Sequence, residues 1–453
     1  MFSVQYMTKA EYLTLADQIA TDIAQGVLRP GDRLPPQRDF ADLHGIAAST
    51  ASRVYAELLR RGLVVGEVGR GTYVSGEAKR GVAAPGEPRG VRIDLEFNFP
   101  ILPVQSALIA KSLAGLERPL DLELALRPAT SHGTSAVRNT AAAFLATGPW
   151  TPSPDQLVFT GAGRQSIAAA LAAVVPPGAR CGVEMLTYPF IKGIAARLGI
   201  ALVPLAMDES GVRPEAVQRA HREGNLSAIY LQPTIQSPLG MTMPSMRRAE
   251  LLRIVEKLNI TVIEDNVYGF LDDAMPLAAD APDHCIVVDS LSKKVAPGLN
   301  LGFLVTPPRL RDSVMAAVRS GGWTASGYAF AAAQRMMSDG TVDTLVQLKR
   351  QDARARQQIA ADCLAQFDVR TSGKSYHLWL TLPAHWRSQM LVAAAARHDI
   401  GLTPSTTFAV SHGHAPNAVR LALAGPSLEL LDTGLRTLAD ILNAKEDDFD
   451  LTE

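Results

Sequence analysis

Val288-Asp289-Ser290-Leu291-Ser292-Lys293-Lys294-Val295-Ala296-Pro297-Gly298-Leu299-Asn300-Leu301-Gly302 is the stretch on which the fold turns. An apolar run from Cys285 leads into it as a strand, small hydroxyl residues follow, then two lysines and a Pro-Gly turn. A lysine placed after a strand and beside such hydroxyls suits an amine that forms a Schiff base next to a bound phosphate. Lys293 is that candidate, with Ser290 and Ser292 on the phosphate side. Taken alone, adjacent lysines are more often surface charges, so the decision falls to the segments around them.

Those segments share one grammar. Leu157-Val158-Phe159, Arg180 to Glu184, Ser227 to Leu231, Thr261 to Glu264 and Cys285 to Asp289 read as strands, with Ala/Leu-rich amphipathic helices between them. From about 93 to 443 this alternation predicts an α/β domain, a mostly parallel sheet with helices on both faces. Ile263-Glu264-Asp265-Asn266-Val267-Tyr268 closes an apolar strand on carboxylates. Thr160-Gly161-Ala162-Gly163-Arg164-Gln165 follows a strand and opens a helix, where free N–H groups and the positive dipole end attract a phosphate.

The 453 residues are 47% hydrophobic, enough for several large cores, which excludes wholesale disorder. Lysine plus arginine (44) balances aspartate plus glutamate (45), so any contact with nucleic acid depends on a local patch. Cys181, Cys285 and Cys363 lie far apart, without a metal-type Cys/His cluster, and fit a reducing cytoplasm better than a disulfide framework. No signal-peptide pattern and no apolar run of about 18 residues is present, so we expect a cytoplasmic protein with no membrane partner and no metal.

Residues 1–75 have a different texture. Leu13, Ala16, Ile19, Ala20 and Ile23 fall on one face of a helix ending near Gly26; Pro35-Pro36 opens a second helix, Gln37 to His44, which Gly45 breaks. A third helix runs from about Ala48 to Arg61. Leu63-Val64-Val65 and Thr72-Tyr73-Val74 then flank a Gly-rich hairpin tip bearing Arg70. This order predicts a winged helix-turn-helix, whose third helix enters the major groove of double-stranded DNA. Basic and acidic residues balance at eight each over 1–75, so solvated surface arginines are the plain alternative. Residues 76–92, rich in Gly, Pro and charge, form a linker, and 444–453 an acidic tail.

Gly31-Asp32-Arg33-Leu34-Pro35-Pro36-Gln37-Arg38-Asp39-Phe40-Ala41, with Gly69-Arg70-Gly71-Thr72-Tyr73-Val74, closely resembles the GntR family of bacterial regulators. That resemblance implies DNA contacts from Arg38, Ser49, Thr50, Arg53 and Arg70; Ala47-Ala48 departs from the family's serine cap and arginine. The lysine stretch and its companions resemble fold-type I aminotransferases that bind pyridoxal 5'-phosphate. The resemblance implies Lys293 as the Schiff-base lysine, Asp265 on the pyridine nitrogen, Tyr268 on the phenolic oxygen and Tyr188 stacked on the ring. It implies Ala162, Gly163, Arg164, Ser290 and Ser292 around the phosphate.

Asn417-Ala418-Val419-Arg420-Leu421 resembles the family strand whose arginine clamps an amino acid's carboxylate. Three positions depart from the aminotransferase pattern: Ser237 replaces an asparagine, Asn300 replaces a phosphate-binding arginine, and Arg127 to Gly133 lacks the tyrosine that a partner subunit lends. Joined in one chain, the two halves resemble the MocR subfamily. This implies a head-to-tail homodimeric transcription regulator that senses the cofactor or a small amino-compound effector bound to it. The rival readings are a working aminotransferase with an appended DNA module, and a cofactor-free dimerisation platform.

Overall fold

A computed structural model describes residues 11–24, 27–29, 31–60, 63–67, 71–74, 90–127, 129–411 and 415–444. The expected hairpin-tip residue Arg70, nearly all of the 76–92 linker and all but the first residue of the 444–453 tail lie outside the described residues.

The N-terminal module has helices Glu11–Ala24, Gln37–His44 and Ala48–Arg60, and strands Arg33–Leu34, Val64–Glu67 and Gly71–Val74 in one antiparallel sheet. The second helix stops where Gly45 takes φ 62°, a left-handed conformation that glycine adopts without a Cβ clash. Ala16, Ile19, Phe40, Val54, Tyr55, Leu58 and Val64 make its core. Arg38, Ser49 and Arg53 remain exposed and Thr50 half-buried on the outer side of the second and third helices.

The large domain is built on a seven-stranded sheet in the order Leu157–Thr160, Gly302–Val305, Cys285–Ser290, Thr261–Asp265, Leu226–Leu231, Arg180–Glu184, Ala201–Leu205. All strands are parallel except Gly302–Val305, which runs antiparallel to both neighbours. Gly302 is required by close approach. A Cβ there would lie 2.2 Å from Thr160 Oγ1 and 2.7 Å from the Ala162 carbonyl.

A smaller antiparallel sheet of Asp368–Arg370, His377–Thr381, Ala418–Ala422 and Thr403–Pro404 packs on helices Ser388–Arg397 and Leu428–Asn443. The helix Thr341–Cys363 joins the two parts: Val342 and Leu345 belong to the large core, Ala360 to the small one. The two parts meet at the C-terminal ends of the parallel strands, the usual place for a ligand cleft in such sheets; the His377 ring of the smaller sheet lies 5.4 Å from that of Tyr268 there. At the start of helix Ser388–Arg397, the Arg387 guanidinium lies 5.2 Å from the Tyr73 ring of the N-terminal module. Among the described residues no helix is long and apolar enough to cross a membrane, and no His/Cys/Asp/Glu cluster could hold a metal.

Candidate functional site

Strand Cys285–Ser290 ends at Ser290, whose hydroxyl caps the short helix Leu291–Lys294 by accepting from Ser292 N at 3.1 Å. That turn presents Lys293 to the cleft. Its amine donates to the Asn98 carbonyl and stands 3.4 Å from the centre of the Phe99 ring. Burial, reinforced by the positive charges of Arg420 and Arg164, holds the Lys293 amine well below the ordinary lysine range. A lowered pKa favours the unprotonated, nucleophilic form that a carbonyl-binding lysine needs. The neighbouring Lys294 turns the other way and forms a buried ion pair with Asp289.

Asp265, at the end of strand Thr261–Asp265, is 3% exposed. Its Oδ2 accepts from the Tyr230 hydroxyl (2.6 Å) and the Gln232 amide (3.0 Å), and its Oδ1 from Val267 N (3.2 Å). All three donors are neutral, so the carboxylate lacks a cationic partner of its own, and burial pushes its pKa up to about 6. A protonated ring nitrogen is the kind of group that would relieve this. Behind it Glu184 accepts from Gln232 N and the Gln236 amide, and burial pushes its carboxyl up to about 8. Tyr268, 7% exposed, accepts a hydrogen bond from the Asn98 amide at 2.9 Å, which leaves its own proton free to be donated.

On the other side of Lys293, helix Gly163–Val174 begins against Ser290. A Cβ on Gly163 would stand 3.0 Å from Ser290 Cβ, so glycine keeps this approach open. Ser290 Oγ is 2.7 Å from Asn300 Oδ1 and 3.2 Å from Ser292 Oγ. The first-turn N–H groups of this helix, from Gly163 onward, have no carbonyl four residues earlier in the helix to bond to. Arg164 stacks its guanidinium 3.9 Å over the Phe190 ring beside Tyr188, whose ring is 5.4 Å from that of Phe190. Thus Ala162, Gly163, Arg164, Ser290, Ser292 and Asn300 come together. Ser237 is buried, its backbone N–H donating to Gln232 Oε1 at 3.3 Å.

Arg420, on strand Ala418–Ala422, is 9% exposed. One Nη donates to the Glu96 carbonyl (2.6 Å) and to Thr403 Oγ1 (3.2 Å), while its buried Nε has no partner. Such a guanidinium has a donor to spare for a carboxylate. Sequence reasoning missed Asn98, His377, Gln232, Glu184 and Lys349. Glu184 carried a usable signal, a carboxylate closing an apolar strand just as Asp265 does. Asn98 and His377 carried none, because they reach the cleft from segments with no motif around them.

Residues 121–438 match the family model for aminotransferase class I and II, about 70% of the chain. The chain belongs to that family. Residues 11–74 of this class I and II aminotransferase-family chain match the model for bacterial regulatory proteins of the gntR family. The HTH-type transcriptional regulator YdeF of Bacillus subtilis is 29% identical over 446 residues, covering 97% of this chain and 96% of its own. The vitamin B6 salvage pathway transcriptional repressor PtsJ of Salmonella typhimurium is 25% identical, covering 93% and 95%. The pyridoxine biosynthesis transcriptional regulator PdxR of Corynebacterium glutamicum is 27% identical, covering 67% and 68%. Among solved structures, an archaeal alanine:glyoxylate aminotransferase superposes with a TM-score of 0.70 at 23% identity, covering 78% of this chain and 91% of that one. This last likeness establishes the fold alone.

Proposed function

We propose that the chain is a MocR-type transcription regulator whose affinity for double-stranded operator DNA is set by pyridoxal 5'-phosphate and a small amino-compound effector in the large domain. The observation that carries this reading is the fusion of a gntR-type module to a site in which a buried lysine amine, a buried carboxylate with only neutral donors and a guanidinium with an unpartnered Nε converge. Relatives with matching halves are named for vitamin B6 salvage and pyridoxine biosynthesis, which supports the choice of cofactor.

The residues present fit the cofactor. When bound, it supplies an aldehyde for a primary amine and a ring that withdraws electrons. Lys293 provides that amine and Asp265 holds the proton on the ring nitrogen. Tyr268 would donate to the cofactor's phenolic oxygen, Tyr188 would face its ring, and Ser237 would line the same site. Ala162, Gly163, Arg164, Ser290 and Ser292 would hold the phosphate, and Arg420 would take the effector's carboxylate. Arg38, Ser49, Thr50, Arg53 and Arg70 face DNA. We assign the chain to the cytoplasm as a head-to-tail homodimer.

Transmission to DNA has a physical route. Arg420 sits three residues after Asn417, whose side chain accepts from Ser388 N (3.2 Å) and donates to the Trp386 carbonyl (2.8 Å). Between these lies Arg387, which touches Tyr73. A ligand that binds two arrangements of this path unequally changes DNA affinity by the same factor that DNA changes its own. The test is anisotropy binding to DNA from upstream of the chain's own gene, with and without cofactor and amino acids, alongside a multiple-turnover keto-acid assay. The regulator predicts a ligand-dependent DNA affinity and no sustained turnover. Turnover with an indifferent DNA affinity refutes it in favour of the enzyme.

A further inference from the structure

An ionised carboxylate offers about four acceptor sites, two on each oxygen. At Asp265 three of them are taken by the described residues. Oδ2 accepts from the Tyr230 hydroxyl at 2.6 Å and from the Gln232 side-chain amide at 3.0 Å, which fills both of its sites. Oδ1 accepts only from Val267 N, at 3.2 Å. The acceptor site left over is therefore on Oδ1.

Both donors on Oδ2 are held in place by the sheet. Tyr230 is fully buried, packed in one core with Ile263, Ile286 and Val288. Burial, reinforced by the negative charge of Asp265, holds its phenol well above the ordinary range, so it keeps its proton and remains a donor. Gln232 is buried too, and its Oε1 accepts from Ser237 N at 3.3 Å, which leaves Nε2 as the end that faces Asp265. Its backbone N–H is anchored on Glu184 Oε1 at 3.3 Å. Strand Leu226–Leu231 runs parallel to Thr261–Asp265 with Leu231 opposite Glu264. Tyr230 and Gln232, two positions apart, therefore share one face and reach the same carboxylate.

These donors decide the charge of Asp265 as well as its direction. Burial pushes the carboxyl up to about 6, and the Tyr230 hydroxyl is the strongest of the three donors that keep it from rising further. Glu184, Glu264 and Asp289 on the strands around it, with Tyr188, Tyr268 and Lys293 across the site, act on it through space. Of the titratable groups, Tyr230 alone bonds to it among the described residues.

We propose that Tyr230, together with Gln232, is a positioning residue that turns Asp265 so that its Oδ1 meets the cofactor's ring nitrogen, and that keeps the carboxylate charged so that the proton stays on that nitrogen. The proposal rests on the cofactor-dependent regulator reading and adds to it the residues that set its central contact. Neither side chain has to touch the cofactor, because both act through Asp265.

The test is equilibrium dialysis of the full-length chain against pyridoxal 5'-phosphate and against its deaza analogue, in which C–H replaces the ring nitrogen. Phosphate, aldehyde and ring area are common to both, so the ratio of the two half-saturating concentrations isolates the Asp265 contact. Tyr230→Phe keeps the aromatic ring in the core and removes one donor. Losing a hydrogen bond to a charged group raises a carboxyl by about 1–2 pH units. Asp265 then moves from about 6 to roughly 7.5 and is mostly neutral at about pH 6.5. The variant is expected to lose about eightfold of the wild type's preference for the natural cofactor at about pH 6.5 and less than about twofold at about pH 8, with affinity for the analogue changing less than about twofold. Gln232→Met, which leaves Tyr230 in place, is expected to shift the ratio in the same direction by a smaller factor, so the proposal stays testable where Tyr230→Phe fails to fold. Equal weakening of both compounds, the mark of a merely structural role, overturns the proposal, as does an unchanged ratio in both variants. A wild type that binds the two compounds equally well overturns it while leaving cofactor binding intact. A wild type that binds neither overturns the underlying reading as well, which separates the two failures.

Discussion

Replacing Lys349 by methionine should change stability in opposite directions at neutral and alkaline pH. Lys349 is fully buried on the helix that joins the two parts, and its amine donates to the carbonyls of Lys293 (2.9 Å) and Val295 (2.7 Å). Burial lowers its pKa from 10.5 to about 7. Between those values the unfolded chain binds a proton that the folded chain does not, so folding stability rises with pH through this window. At pH 7 and below the charged lysine costs the folded state roughly 5 kcal/mol, about 3.5 pH units at about 1.4 kcal/mol each. Methionine removes that cost but leaves two carbonyls unpaired, at about 1–2 kcal/mol each. The variant is therefore more stable by about 1–3 kcal/mol at pH 7 and less stable by about 2–4 kcal/mol near pH 10. Thermal unfolding of wild type and variant at several pH values reads this directly, each kcal/mol being worth roughly 2 °C for a domain of this size. A difference that does not depend on pH, in either direction, refutes the reasoning.

The remaining expectations concern the phosphate side, the DNA face and the link between them. Asn300→Arg brings a guanidinium next to Ser290, and cofactor affinity measured by absorbance titration should rise about tenfold; unchanged affinity would place the phosphate elsewhere. Arg38→Ala should weaken DNA binding on all sequences alike and reduce the slope of log K against log salt by about 1, whereas an unaltered slope removes Arg38 from the interface. Arg387→Ala, which cuts the contact with Tyr73, should leave cofactor affinity intact while the ligand-induced change in DNA affinity shrinks. A coupling of full size in that variant would mean that the signal travels another way.

Much of this architecture was legible in local sequence. Gln37–His44 was readable because Pro35-Pro36 and Gly45 punctuate it, and Cys285–Ser290 because an apolar run ends on hydroxyls and lysines. Lys293, Asp265 and Arg420 stood out because each follows, closes or occupies a strand in a recognisable motif. Other elements left no such trace. Gly302–Val305 is a four-residue strand behind a turn, too short for periodicity, and its antiparallel direction is set by neighbours far away in sequence. Lys349 sits in the polar run Gln347-Leu348-Lys349-Arg350-Gln351, and only tertiary packing buries it. Asn98 and His377 are separated by 279 positions, and their hydrogen bond exists only because the small sheet folds back over the cleft.

The most direct test of the account is the visible absorption of the purified chain during titration with pyridoxal 5'-phosphate, with Lys293→Ala measured in parallel. A saturable band in the wild type and none in the variant is the predicted result. A band of equal strength in both, or no band in either, contradicts the assignment of Lys293 and with it the sensing site proposed for this chain.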